Sequence, residues 1–352
     1  MMRAIGLALD RRVWAYYNVT DTSSAWKILG STSGISKMEV DGVEMPLSDT
    51  YLFGTTGEHL IQFTLNSLSS FPPQMFRRSA VDRVIIPSGV TTIMGRGSIN
   101  GSFRESSLRS IFIPSSVSVI ESTAFYSCSS LSEVHVESAD DFFSIQFGDN
   151  IAADYANPLQ YAHHLYKDGI EITNYVIPAG TIEIGHHAFY GANNMQITIP
   201  PSVQAIGIRA FMDCANMTSD VEVPVSVLND EVFRGSNINS LTLPNVVQIG
   251  NSDSAYCLYY SNITLVDIGA SCEIVKNRAF FATPRLSTLI VRATTPPVIA
   301  QYSFYYNNVS KVYVPYSADH SVLAAYKSDS NWLLNFSADK FAELNPDGTI
   351  PT

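Results

Sequence analysis

Asn174 to Pro200 reads NYVIPAGTIEIGHHAFYGANNMQITIP. A short apolar strand, Tyr175-Val176-Ile177, is closed by Pro178. Eleven residues after that proline comes Phe189, preceded by Ala188, and eleven residues after Phe189 comes Pro200, closing Ile197-Thr198-Ile199. Strand, proline, Ala-Phe, strand, proline is a unit that recurs, with changes, down most of the chain.

Spacing supports the unit. The proline place is held by Pro87, Pro114, Glu137, Pro178, Pro200, Pro224, Pro244, Gly269, Arg292 and Pro315, at steps of 27, 23, 41, 22, 24, 20, 25, 23 and 23 residues. All but one step lie in the window of about 20–29 residues of leucine-rich repeats. The phenylalanine place is held by Phe76, Phe103, Phe125, Phe189, Phe211, Phe233, Leu258, Phe280 and Phe304. Chance does not hold two landmarks in step in this way.

The strands give an independent test, because successive side chains point to opposite faces. The first and third residues before each proline place are apolar throughout, as in Ile86/Val84, Ile199/Ile197, Leu243/Leu241 and Val291/Leu289. The second and fourth are mostly polar, as in Thr198/Gln196, Glu222/Asp220 and Thr242/Ser240. One face is core, and the other meets solvent or a partner.

The pieces IFIPSSVSVIESTAFYSCSSL (Ile111 to Leu131), VIPAGTIEIGHHAFYGANNM (Val176 to Met195) and ITIPPSVQAIGIRAFMDCANM (Ile197 to Met217) resemble the BspA-like, treponemal-type leucine-rich repeat family. The resemblance covers about residues 72–316. It implies a right-handed solenoid used for adhesion and for protein or glycan recognition, without catalytic residues. Between Val221 and Gly269 the pattern departs, since Pro224 to Phe233 is two residues short and Leu258 replaces phenylalanine. Local irregularity is expected there.

The fold class expected is mainly β: a leucine-rich-repeat solenoid of about ten rungs, with a small N-terminal β module and a short C-terminal helical cap. Residues 1–71 lack the repeat. Val13 to Val19 and His59 to Leu65 read as strands, and Asp41-Gly42 suits the two-residue turn of a hairpin over Met38 to Met45. The last part of this module is expected to cap the first rung, since an open end exposes core and strand edge; the module is a cap or an attachment unit. Residues 72–316 carry the repeats, interrupted by an insert at 138–173. Within the insert Asp168-Gly169 joins Tyr161–Tyr166 to Ile170–Thr173 as a hairpin. Residues 317–352 form the C-terminal cap, with helical stretches at Ser321 to Tyr326 and Trp332 to Phe336 and Trp332 against the last rung.

Composition narrows the function. The 352 residues are 46% hydrophobic, enough for a core, and only 15% charged, with a net charge of −11. That balance argues against nucleic acid, whose phosphates need clustered Lys and Arg. No run of about 20 apolar residues could span a membrane, and the Ala4–Leu9 run is too short for a signal peptide. Of the four cysteines, Cys128 and Cys214 share one repeat position and read as small buried hydrophobes. His163-His164 and His186-His187 have no thiolate or carboxylate partners at ligand spacing, so no metal, cofactor or catalytic residue is expected. An enzyme such as a glycan hydrolase would need two carboxylates about 5–9 Å apart in a cleft, and no candidate pair is evident.

The candidate binding residues are of two kinds. Phe112, His135, Thr198, Glu222, Thr242, Asp267 and Tyr313 lie on outward strand positions, where Ile85, Val176 and Ile290 also stand out as apolar. Tyr259, Tyr260, Tyr305 and Tyr306 lie in loops beside Tyr256 and Tyr302, a composition suited to recognition. The reading is a non-enzymatic recognition or adhesion solenoid that binds protein or surface glycan on an exterior surface. The alternative is a structural or receptor-binding part of a bacteriophage virion, with residues 1–71 contacting other virion proteins.

Overall fold

The computed structural model describes residues 10–95, 97, 99–148 and 155–351. The Ala4–Leu9 run lies outside them. The chain is a mainly β solenoid of about nine turns. Its contacts divide it into two units, residues 1–172 and 173–352.

In the first unit one nine-stranded sheet holds both the N-terminal module and the rungs. The rung strands Arg83–Ile85, Ser110–Ile113, Glu133–Val136 and Leu165–Lys167 pair in parallel and in register. Inward residues such as Val84, Ile111 and Val134 are buried. The expected strands exist as Arg12–Val19 and Gly57–Leu65, and the hairpin as Ile35–Val40 with Val43–Met45. Asp41 and Gly42 both have positive φ, at 49° and 85°, as a two-residue turn matched to strand twist requires. The first rung is flanked by Arg12–Val19, which pairs antiparallel with Arg83–Ile85, and not by the end of the module. That end joins a second, shorter ladder instead: Phe71 bridges Ile93, beside Thr92–Ile93, Val119–Ile120 and Gln146–Phe147.

The segment 138–173 proves to be an enlarged rung and not an interruption. Gln146–Phe147 extends the short ladder and Leu165–Lys167 the long one. Ala156, fully buried, stands where a phenylalanine would be, since the Phe125 amide donates to the Tyr155 carbonyl as Phe103 donates to Ala124. The hairpin is shorter than expected, Leu165–Lys167 with Ile170–Glu171, because Tyr161 belongs to the helix Leu159–Ala162.

In the second unit the rung strands are Asn174–Val176 with Gln196–Thr198, then Asp220–Glu222, Ser240–Leu243, Leu265–Ile268, Thr288–Val291 and Lys311–Val314. Here the irregularity is displaced from its expected place. From Asp220 to Val314 the ladder is unbroken, and Leu258 fills the phenylalanine place fully buried. The lapse comes earlier, between Gln196–Thr198 and Asp220–Glu222. Pro224 follows Phe211 by thirteen residues and precedes Phe233 by nine, so an excess of two and a deficit of two cancel. The strand shifts, while Phe233 still lands on Phe211 with centroids 5.4 Å apart. Ile199, just past the lapsing strand, is only half-buried where a core position was expected.

The turns bearing the phenylalanines form a third column. Each amide at the phenylalanine place donates to the residue before the next one: Phe189 to Ala210 (2.8 Å), Phe211 to Val232 (2.9 Å), Phe280 to Ser303 (2.8 Å). Two places after the ring, and in most turns two places before it, the backbone is left-handed, as at Thr123 and Ser127 or Arg209 and Asp213, with φ of 66°, 58°, 57° and 57°. That pair of reversals folds each turn tightly enough for the rings to stack.

The last rung is closed by the helices Ser321–Ser328 and Ser330–Asn335 and by a strand, Phe341–Glu343, which extends the sheet in parallel. Trp332 is fully buried, its indole donating to the Pro297 carbonyl (2.9 Å). Asn335 Oδ1 accepts from the Phe304 amide (3.3 Å), supplying the partner that a further rung would have given.

Candidate functional site

Parallel in-register pairing puts equivalent side chains of successive rungs side by side on one face. On the first unit this aligns Ile85, Phe112, His135 and Tyr166 in one outward row, which Trp14 extends to a fifth strand through antiparallel pairing. All five are half-buried. The His135 and Tyr166 rings stack at 5.0 Å, and His135 Nε2 lies 3.0 Å from Glu133 Oε2. In the adjoining row Arg83 sits over the Tyr16 ring (4.4 Å) and pairs with Glu58. The Trp14 indole nitrogen is buried without a bonding partner. Trp14 and Tyr166 escape sequence reading because neither stands in a recognisable repeat; only the pairing brings them to the row.

The outward row of the second unit is mixed. Val176, Thr198 and Glu222 are exposed, and Thr242 and Tyr313 half-buried. Two of its members leave the surface. Both Asp267 oxygens accept from Arg292, from Nε at 2.8 Å and Nη2 at 2.7 Å. Arg292, the diagonal neighbour of Asp267, also donates to the Gly348 carbonyl (3.3 Å), so the C-terminal tail helps cover this stretch. Asp267 and Ile290 are 8% and 4% exposed. Neither is open to a ligand, contrary to the outward assignment from strand alternation.

On the turn column of the second unit the structure brings the predicted tyrosines together. Tyr259 and Tyr260 lie 4.1 Å apart, and Tyr305 and Tyr306 4.2 Å apart, between ring centroids. Phe281 bridges the pairs, 5.7 Å from Tyr259 and 6.0 Å from Tyr305. Tyr256 and Tyr302 extend the cluster at its edges. Tyr260 and Tyr306 are 62% and 68% exposed. Donation of the Tyr259 hydroxyl to Tyr260 is the main cause that holds the Tyr259 phenol above its usual range, and donation to Tyr306 does the same for Tyr305. Arg234 lies over Tyr259 (5.2 Å) and Arg278 over Tyr256 (5.7 Å). Phe281 was legible in principle: it follows Phe280 as Tyr259 follows Leu258 and Tyr305 follows Phe304.

Among the described residues no group of three His, Cys, Asp or Glu side chains is disposed to hold a metal, and no helix is long and apolar enough to cross a membrane. The cysteines are free and buried, and burial pushes the Cys128 thiol up to about 12 and Cys272 up to about 11. Burial, followed by the charges of Arg209 and His186, pushes the His187 imidazole down to about 4.

Comparison with known proteins adds the family. The model of the BspA type leucine rich repeat region matches in six copies, at residues 48–147, 162–281 and 252–333. No curated protein matches the chain. Among solved structures, the pneumococcal vaccine antigen PcpA is similar at 15% identity over 81% of this chain and 86% of its own, with a TM-score of 0.45. A leucine rich cell surface protein from Faecalibacterium prausnitzii is similar at 17% identity over 79% and 96%, TM-score 0.31. A leucine-rich repeat protein from Bacteroides ovatus is similar at 16% identity over 84% and 90%, TM-score 0.36.

Proposed function

The chain belongs to the BspA-type leucine-rich repeat family, and from that premise we propose that it is a non-enzymatic recognition solenoid, binding a protein or glycan presented on an exterior surface. The observation that carries the reading is the row Trp14, Ile85, Phe112, His135 and Tyr166, held in register on the outward face. A sheet face facing only water is best served by short polar side chains; this one carries four rings beside Ile85, and aromatic residues are enriched at interface anchors. The candidates Thr198, Glu222, Thr242 and Tyr313 extend recognition to the second unit, while Asp267 serves there as the structural partner of Arg292. No observation favours the virion alternative.

The test is capture. Purified protein is incubated with bacterial cells and with epithelial surfaces, and bound protein is quantified. Replacing Ile85, Phe112 and Tyr166 together by Ser is expected to cut capture at least tenfold with the melting temperature within a few degrees of the parent. Undiminished capture by this variant removes the row from the function.

A further inference from the structure

The aromatic cluster on the turn column has a cation, Arg278, over its Tyr256 edge. The chain as a whole carries −11, yet residues 274–318 contain Lys276, Arg278, Arg285, Arg292 and Lys311 and no Asp or Glu. Arg292 is taken by Asp267. Arg278 reaches only Ser254 Oγ (3.2 Å) and the Tyr256 ring, and among the described residues neither Arg278 nor Arg285 has a carboxylate partner. The same stretch supplies Phe281, Tyr302, Tyr305 and Tyr306. Its Tyr305–Tyr306 doublet repeats the Tyr259–Tyr260 doublet two rungs away, a step of about 10 Å at two strand spacings.

We propose that this face is a binding platform for an extended anionic polysaccharide, the rings stacking on sugar faces and Arg278 pairing a carboxylate. The proposal rests on the recognition reading above and names a ligand class for one surface of it. Three features select that class. The Tyr260 and Tyr306 rings are mostly exposed and carry hydroxyls, so they offer an apolar face and a hydrogen-bonding edge together, which matches a pyranose. A doublet repeated at about 10 Å suits a polymer with a two-sugar period better than a folded partner, whose anchors fill pockets. Arg278, beside the Tyr256 ring and without a carboxylate partner among the described residues, complements an anion, and a single cation suits a chain with one charge per sugar or two. A nucleic acid, charged at every phosphate, would meet the net −11 of the whole chain.

The test is electrophoresis of the full chain through native gels containing polygalacturonate, alginate or neutral dextran, with a parallel titration against poly(dT). Retardation is expected from the two polyuronates, weakening with added salt, and not from dextran or poly(dT). The double variant Tyr260→Ser, Tyr306→Ser is expected to bind at least tenfold more weakly, Arg278→Gln several-fold more weakly, and Val43→Ser, at an exposed position on the first unit, as well as the parent. Circular dichroism checks that each variant folds. Retardation by dextran equal to that by polyuronate overturns the anionic assignment, and tighter binding of poly(dT) overturns the ligand class. Loss in Val43→Ser alone, or no retardation by either polyuronate, overturns the platform. The recognition reading is scored separately, by capture through the first-unit row.

Discussion

Phe103 and Phe125 lie one rung apart with ring centroids 5.1 Å apart and planes within 3° of parallel. The same relation recurs between Phe189 and Phe211 (5.1 Å, 6°) and between Phe280 and Phe304 (4.6 Å, 4°). Offset stacked rings add about 0.5–1.5 kcal/mol to the burial of their area. Because each rung touches mainly its neighbours, this column and the inward aliphatic rows carry cohesion from one turn to the next.

Phe189 is 2% exposed and stacks on Phe211. Phe189→Ala is therefore expected to cost about 3–5 kcal/mol, as a large-to-small change in a closed core. Chemical denaturation measures it; a change near zero would place the ring outside the stack.

Gly269 occupies a proline place because nothing larger fits. A Cβ built there would lie 2.1 Å from the Pro244 carbonyl oxygen, a backbone atom that cannot swing away. Its amide also donates to the Leu243 carbonyl (2.9 Å), a bond that proline would remove. Gly269→Ala is expected to lower stability by at least about 1–3 kcal/mol, the cost of overpacking, and Gly269→Pro by more. Thermal melts of the two variants rank them.

Ser127 is exposed and left-handed, at φ 58°. A non-glycine residue there costs about 1–2 kcal/mol, partly offset in glycine by the entropy of its unfolded chain. Ser127→Gly is expected to be neutral or to stabilise by up to about 1 kcal/mol, and the β-branched Ser127→Val to destabilise. The order of the two melting temperatures is the check.

The inward rows were legible because alternation has a period of two and the family keeps it: Val84, Ile111, Val221, Leu241 and Leu289 are all buried. The rung at Leu165–Lys167 was not, because Ala156 stands for phenylalanine and no proline marks it. Nor was the pairing of Arg12–Val19 with Arg83–Ile85, a contact about seventy residues apart in sequence that no local pattern announces. The left-handed turn residues are hidden for another reason. They include Arg, Glu, Ser, Asp and Tyr, where turn chemistry leads one to look for glycine. At the surface, Tyr259, Tyr260, Tyr305 and Tyr306 do come together, whereas Asp267 and Ile290 are covered by Arg292 and its surroundings, a long-range effect beyond strand alternation.

His187 is buried, and its imidazole stays neutral in the fold down to about pH 4. The unfolded chain takes up that proton nearer 6.5. Between these values the unfolded state binds more protons, so stability falls as pH is lowered from 7 toward 4. Urea midpoints at pH 7 and pH 5 are expected to differ in that direction, and His187→Gln to reduce the difference.

The register of the outward row is the claim on which the binding face depends, and cross-linking measures it most directly. Phe112 and His135 are parallel partners, and strand neighbours about 4.8 Å apart lie within disulfide reach of about 4.4–6.8 Å. The pair Phe112→Cys, His135→Cys is expected to close a disulfide under mild oxidation with the fold intact, while Phe112→Cys, Val134→Cys, pointing to opposite faces, stays open. Closure of the second pair and not the first would contradict the register and the row built on it.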